Sequence, residues 1–86
     1  MENQPSIEMP RYKCHKIVHA LKIKEMISLI DGIYIRPVEA GYAPFIVSEE
    51  WAIKHNPKVD GYYVVYDDGY KSFSPAKAFE EGYTRI

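Results

Sequence analysis

One cysteine, Cys14, is all the chain carries, so no internal disulfide framework exists and a reducing cytoplasm is the compartment its composition predicts. An excess of charge is missing too. Eleven basic residues stand against twelve acidic ones, a net charge of −1, which argues against the broad basic surface that duplex nucleic acid requires. No apolar run reaches the roughly 20 residues of a transmembrane helix. The start, Met1-Glu-Asn-Gln-Pro5, lacks the basic and apolar regions of a secretion signal, so no membrane association is expected. A glycine-rich phosphate loop, a constant-period repeat and a low-complexity tract are absent as well.

What is present is a chain of 86 residues, 47% of them hydrophobic, cut into short pieces by six prolines. That is too apolar for disorder and too interrupted for a long helical bundle. At this size one core is only marginally sufficient, so a homo-oligomer is a natural supplement. Residues 1–10, with Pro5 and Pro10, read as a loose leader, and 11–86 as a single compact domain.

Residues 13–26 fit two periods. Ile17, Val18 and Leu21 suit a helical stripe, whereas Ile17, His19, Leu21 and Ile23 alternate as in a strand; the strand is preferred, with an extension to Ile30. Asp31-Gly32 then reads as a two-residue hairpin turn into a strand over Ile33–Val38, which Pro37 bends or confines to an edge. Gly41 and Pro44 bracket a turn before the short strand Phe45–Val47. Ser48 is placed to cap a helix over 49–55, whose first turn carries Glu49 and Glu50, and Asn56-Pro57 ends it.

The last third is the most legible. Tyr62–Tyr66 is β-branched and aromatic throughout, a central strand expected to be covered on both faces. Asp67-Asp68-Gly69 turns the chain and Tyr70–Phe73 pairs back. Ser74 reads as a cap, Pro75 as the first helical residue, Phe79 as the core anchor and Gly82 as a left-handed terminator; the tail from Tyr83 suggests an edge strand. The predicted fold class is therefore α+β, a small antiparallel sheet of four or five strands with two short helices.

Catalytic constellations find no positive support. His15 and His19, with Cys14 and His55, fit a metal site only if their segment is helical. Cys14 lies between Lys13 and Lys16, which favour a thiolate, but a lone cysteine more often packs as a small hydrophobe. Glu49-Glu50, Asp67-Asp68 and Glu80-Glu81 are each explained by a helix start, a turn or an exposed helical face. No enzyme, metal or cofactor is expected.

The tyrosines invite a sharper reading. Five of the eight lie in 61–83, and Tyr62, Val64 and Tyr66 share one strand face while Tyr63 and Val65 share the other. They suit a core capped by hydroxyls, a subunit interface, or a stacking platform for a planar ligand with basic donors nearby. The candidate ligand-binding residues are Tyr63, Tyr66, Tyr70, Arg36, Lys71 and Arg85.

The run Gly61-Tyr-Tyr-Val-Val-Tyr-Asp-Asp-Gly-Tyr-Lys-Ser-Phe-Ser-Pro-Ala-Lys-Ala-Phe-Glu-Glu-Gly-Tyr-Thr-Arg-Ile86 resembles the ending of a widespread group of small tailed-phage and prophage proteins. Tyr12-Lys-Cys-His-Lys16, followed by Val18, Ala20 and Ile23, resembles the same group's opening strand. The resemblance transfers no catalytic residue. It implies a phage accessory product in the bacterial host cytoplasm, and many such products counter host defence. A sponge that sequesters a nucleotide-like immune signal is the function expected by analogy of class. The alternative is a protein-interaction module, an inhibitor docked on a host defence or nuclease protein through the same tyrosines.

Overall fold

The computed structural model describes residues 17–85, so the proposed leader, Cys14 and His15 lie outside the described residues. In chain order these residues form β1 (His19–Leu29), β2 (Gly32–Pro37), β3 (Phe45–Val47), α1 (Glu49–His55), β4 (Tyr62–Val65), β5 (Lys71–Ser74) and α2 (Ala76–Gly82). The fold is α+β: one five-stranded antiparallel sheet in the order β3-β2-β1-β4-β5, with two short helices.

Strand alternation governs the ambiguous segment from His19 onward, and β1 is the spine of the sheet. Its first half, His19–Lys22, pairs with β4, and its second half, Ile23–Leu29, pairs with β2. The halves meet at a bulge between Ile23 and Glu25 that takes up Lys24. One extra residue shifts the alternation by one, so Ile23 faces the core before the bulge and Met26 after it.

The bulge also bends the strand, and the sheet curls. Phe45 on β3 and Tyr63 on β4 are three places apart in the sheet, about 14 Å if flat, yet their ring centroids are 4.7 Å apart. The concave face holds the core of Ile23, Ile35 and Val47, with Met26, Ile33, Phe45, Trp51, Tyr63 and Phe73 packed around it. Helix α1 spans the opening, because Trp51 donates its indole Nε1–H to the Lys71 carbonyl of β5 at 3.0 Å. Ser48 caps α1 as the sequence predicts, its Oγ accepting from Trp51 N–H at 3.0 Å. Asn56 ends the helix in the left-handed region, φ 47°, just before Pro57.

Two glycines are dictated by close approach. The first hairpin turns at Ile30-Asp31 rather than at Asp31-Gly32, and Gly32 opens β2 with φ 154°. A Cβ there would lie 2.5 Å from the Val47 carbonyl oxygen and 2.8 Å from Ile46 Cγ2, so glycine serves strand packing instead of the turn. At Gly61 a Cβ would collide with the Phe73 ring. Pro37 is buried opposite Ile23 at the bulge; β3 pairs only with Ile33–Ile35, so the proline removes no bond from that ladder.

Strand β4 is covered on both faces: Tyr63 joins the concave core and Val64, on the other face, is 2% exposed. The end of the chain differs from its sequence reading. Ser74 completes β5 instead of capping, Pro75 occupies the cap position without a side-chain hydrogen bond, and Tyr83 ends α2 in extended conformation with no left-handed residue. Residues 83–85 form no strand. Phe79 lies outside the main core, stacked on Tyr62 at 4.1 Å and on Tyr83 at 4.6 Å. A helix of two turns needs such tertiary anchors, since it is too short to persist by itself.

Glu80 is the polar anchor of α2. Its Oε2 accepts from Tyr62 O–H at 2.8 Å and Lys22 Nζ at 3.1 Å. The Tyr62 hydrogen bond first, then that of Lys22, hold its carboxyl below the ordinary glutamate value of 4.5. Stability from this group is thus present above pH 4.5 and lost as pH falls through the depressed folded value. Glu80→Gln is expected to lower the urea midpoint at neutral pH and to match wild type once both side chains are neutral; equal midpoints at pH 7 would remove Glu80 as an anchor.

Candidate binding surface at the β4–β5 hairpin

Aromatic rings run in one connected series from the core to the surface. Phe45 meets Tyr63; Tyr63 lies 5.4 Å from Trp51, Trp51 4.9 Å from His55, His55 6.1 Å from Tyr70, and Tyr70 5.9 Å from Tyr66. Sequence periodicity explains the middle of this series, because Trp51 and His55 are four apart on α1 and share a face. The hairpin explains its end. Gly69 takes φ 88°, its N–H donating to the Tyr66 carbonyl at 2.8 Å, and Tyr66 N–H donates to the Tyr70 carbonyl at 2.9 Å, which sets the two rings side by side at 23°. Asp68 Oδ1 accepts from Tyr70 N–H at 2.9 Å and fixes the approach to β5.

Tyr70 is exposed and positively edged. It is 46% exposed, with Lys54 Nζ 5.6 Å from its ring centroid. Lys71, the next residue along, is exposed, its ammonium 3.5 Å from the Gly69 carbonyl. A depression of about 480 Å³ adjoins the rings, lined by Ile17, Tyr66, Asp67, Asp68 and Tyr70. A second, about 460 Å³, opens beside His55 and Phe73, with Lys58, Val59 and Pro75 on its walls. The two carboxylates of the first depression repel an anion, whereas the Lys54 and Lys71 ammonium groups attract one.

The six candidate residues separate into two sets. Tyr66, Tyr70 and Lys71 come together at the hairpin. Tyr63 is half-buried between Phe45 and Trp51, and burial pushes its phenol pKa up, a packing position. Arg36 pairs with Glu25 at 3.0 Å on the convex face, and Arg85 makes a two-pronged pair with Glu39 at 2.6 and 3.0 Å. Lys54 and Trp51 join the surface without having been singled out in the sequence, and His55, weighed there only as a metal ligand, joins it as a ring. Their only signal was the i, i+4 spacing on a capped helix, and nothing local says that α1 reaches β5. Among the described residues, no group of three or more His, Cys, Asp or Glu could hold a metal ion. No helix of the described residues is long and apolar enough to cross a membrane.

His55 gives this surface a pH response. Burial first, and the Lys54 charge second, lower its pKa from the ordinary 6.5. The unfolded chain therefore binds more protons than the folded one below that value, and stability falls as pH drops through 6.5 toward the folded pKa. A proton NMR titration is expected to place His55 below 6.5 and to move it upward in Lys54→Met. A wild-type value above 6.5 would contradict the buried, lysine-flanked environment.

No family model, curated protein or solved structure matches this chain.

Proposed function

We propose that the protein is a non-enzymatic binding module that stacks a planar, anionic ligand against Tyr70 and Tyr66, with Lys54 and Lys71 meeting its negative groups. The observation that carries this reading is the ring series itself: its inner end is locked in the core, so its exposed end is a preorganised aromatic face that pays little ordering entropy on binding. Aromatic stacking tolerates any base, and ammonium groups beside the ring suit phosphate. A nucleotide is the ligand class with both features. The phage resemblance extends the proposal to a sponge for a nucleotide-like immune signal in the bacterial cytoplasm.

The single tryptophan is a built-in reporter, since Trp51 stands two rings from Tyr70. Titration with cyclic dinucleotides and ADP-ribose derivatives is expected to give a saturable change in Trp51 fluorescence with at least one member. Absence of any response, together with stoichiometric capture of a host defence protein that Tyr70→Ala abolishes, would replace this reading with the protein-inhibitor one.

A further inference from the structure

The two ends of the sheet and its centre treat their strand edges differently. Strand β3 is three residues long, and β5 begins at Lys71 and stops at Pro75, both devices that discourage a further strand. The second half of β1 has no such protection. It pairs with β2 along Ile23–Leu29, while β4 leaves it after Lys22 and the Asp60-Gly61 loop makes the last contacts, at Ile23. Beyond Lys24 and Glu25, the residues Met26, Ile27, Ser28, Leu29 and Ile30 are all uncharged, and no strand among the described residues lies on their open side. Ile27, Leu29 and Ile30 are 43%, 44% and 105% exposed.

The register decides what can complete that edge. Ile23 turns its N–H and C=O away from β2, to Gly61 and Asp60. After the bulge the alternation moves by one, so Met26 and Ser28 turn theirs to the open side, and Ile27 and Leu29 turn theirs to β2. We infer that the edge is closed by the same segment of a second copy, antiparallel about a two-fold axis at Ile27. Only a pairing centred on a residue keeps core faces with core faces; centred on Ile27, it sets Met26 against Ser28 of the second copy in both directions. Every open N–H and C=O of Met26 and Ser28 then has a partner. Ile27 faces its own copy as a non-hydrogen-bonded pair, about 4.5 Å between Cα atoms.

The segment is thus self-complementary, and a closed pair leaves neither copy a free edge there, as an open chain of heterologous contacts would. A five-residue strand pair is small beside the roughly 1,200 Å² of a standard interface, so the dimer forms in a concentration-dependent manner. This assignment does not depend on what binds at Tyr70.

The test is sedimentation equilibrium on the full chain up to about 100 μM, with hydrogen exchange at the Met26 and Ser28 amides. Wild type is expected to reach twice the 10.0 kDa monomer mass with both amides slowed. Ile27→Lys places two ammonium groups opposite each other and is expected to be a folded monomer with both amides fast, whereas Ile53→Lys, on the 75% exposed position of α1, remains a dimer. A dimeric Ile27→Lys overturns the proposal. So does a monomeric wild type, and slowed amides in that monomer would assign the edge to a segment of the same chain.

Discussion

Replacing Ile35 by alanine is expected to remove a large part of the protein's stability and to lower its thermal midpoint by about 8–40 °C. Ile35 is 1% exposed and shares the concave-face core with Ile23 and Val47. It lies between Met26 on β1 and Phe45 on β3, at the point where the curl brings the two halves of the sheet together. Removing three carbons there costs about 2–5 kcal/mol, because the lost transfer energy adds to the cavity left behind. A chain of this size has only about 4–13 kcal/mol in total. Thermal unfolding followed by circular dichroism checks the effect against Ile53→Ala, which is exposed on α1 and should move the midpoint by no more than about 4 °C. Similar midpoints for both variants would mean that the core is not where the structure puts it.

Tyr70→Ala is expected to weaken ligand binding by about five- to 150-fold while leaving the fold intact. Loss of one stacked ring costs about 1–3 kcal/mol in aromatic recognition of bases, which converts to that range at 1.4 kcal/mol per factor of ten. The fold survives because the hairpin is fixed here by backbone groups: Tyr70 N–H bonds Asp68, and its carbonyl receives Tyr66 N–H. Alanine keeps both. Tyr63→Ala provides the contrast, since that ring packs between Phe45 and Trp51 and its loss should show as reduced stability before any change in affinity is measurable. Calorimetric titration and thermal melts on the pair separate the two roles. Equal loss of affinity and stability in both variants would make the hairpin tyrosines packing groups only.

The contrast between Tyr63 and Tyr70 also marks where sequence reasoning stopped. Elements whose cause is local were legible: the Ser48 cap, the Asn56-Pro57 stop, the Gly69 turn and the covered strand at Tyr62–Val65 all follow from neighbouring residues. Features set by tertiary geometry were not. The bulge at Lys24 leaves no residue signature, yet it re-phases β1 and produces the curl that brings Phe45 to Tyr63. Gly32 looked like a turn residue because Asp-Gly often turns, whereas the close approach of β3 is what requires it. Ser74, Pro75 and Gly82 matched the capping pattern of a free helix, but α2 is held to Tyr62 and Lys22 through Glu80 instead. The candidate site divided for the same reason. Tyr66, Tyr70 and Lys71 are neighbours through one hairpin, while Arg36 and Arg85 found Glu25 and Glu39, carboxylates 11 and 46 residues away in the chain.

The most direct test of the binding account is mass spectrometry of the small molecules released by heat from protein that has been incubated with a nucleotide panel and separated from unbound ligand. Retention of at least one nucleotide by the wild type, its release at unchanged mass, and loss of retention in Tyr70→Ala are the results expected of a sequestering module. Release of a chemically altered product would make the protein an enzyme, and undiminished retention by Tyr70→Ala would place binding elsewhere; either contradicts the account.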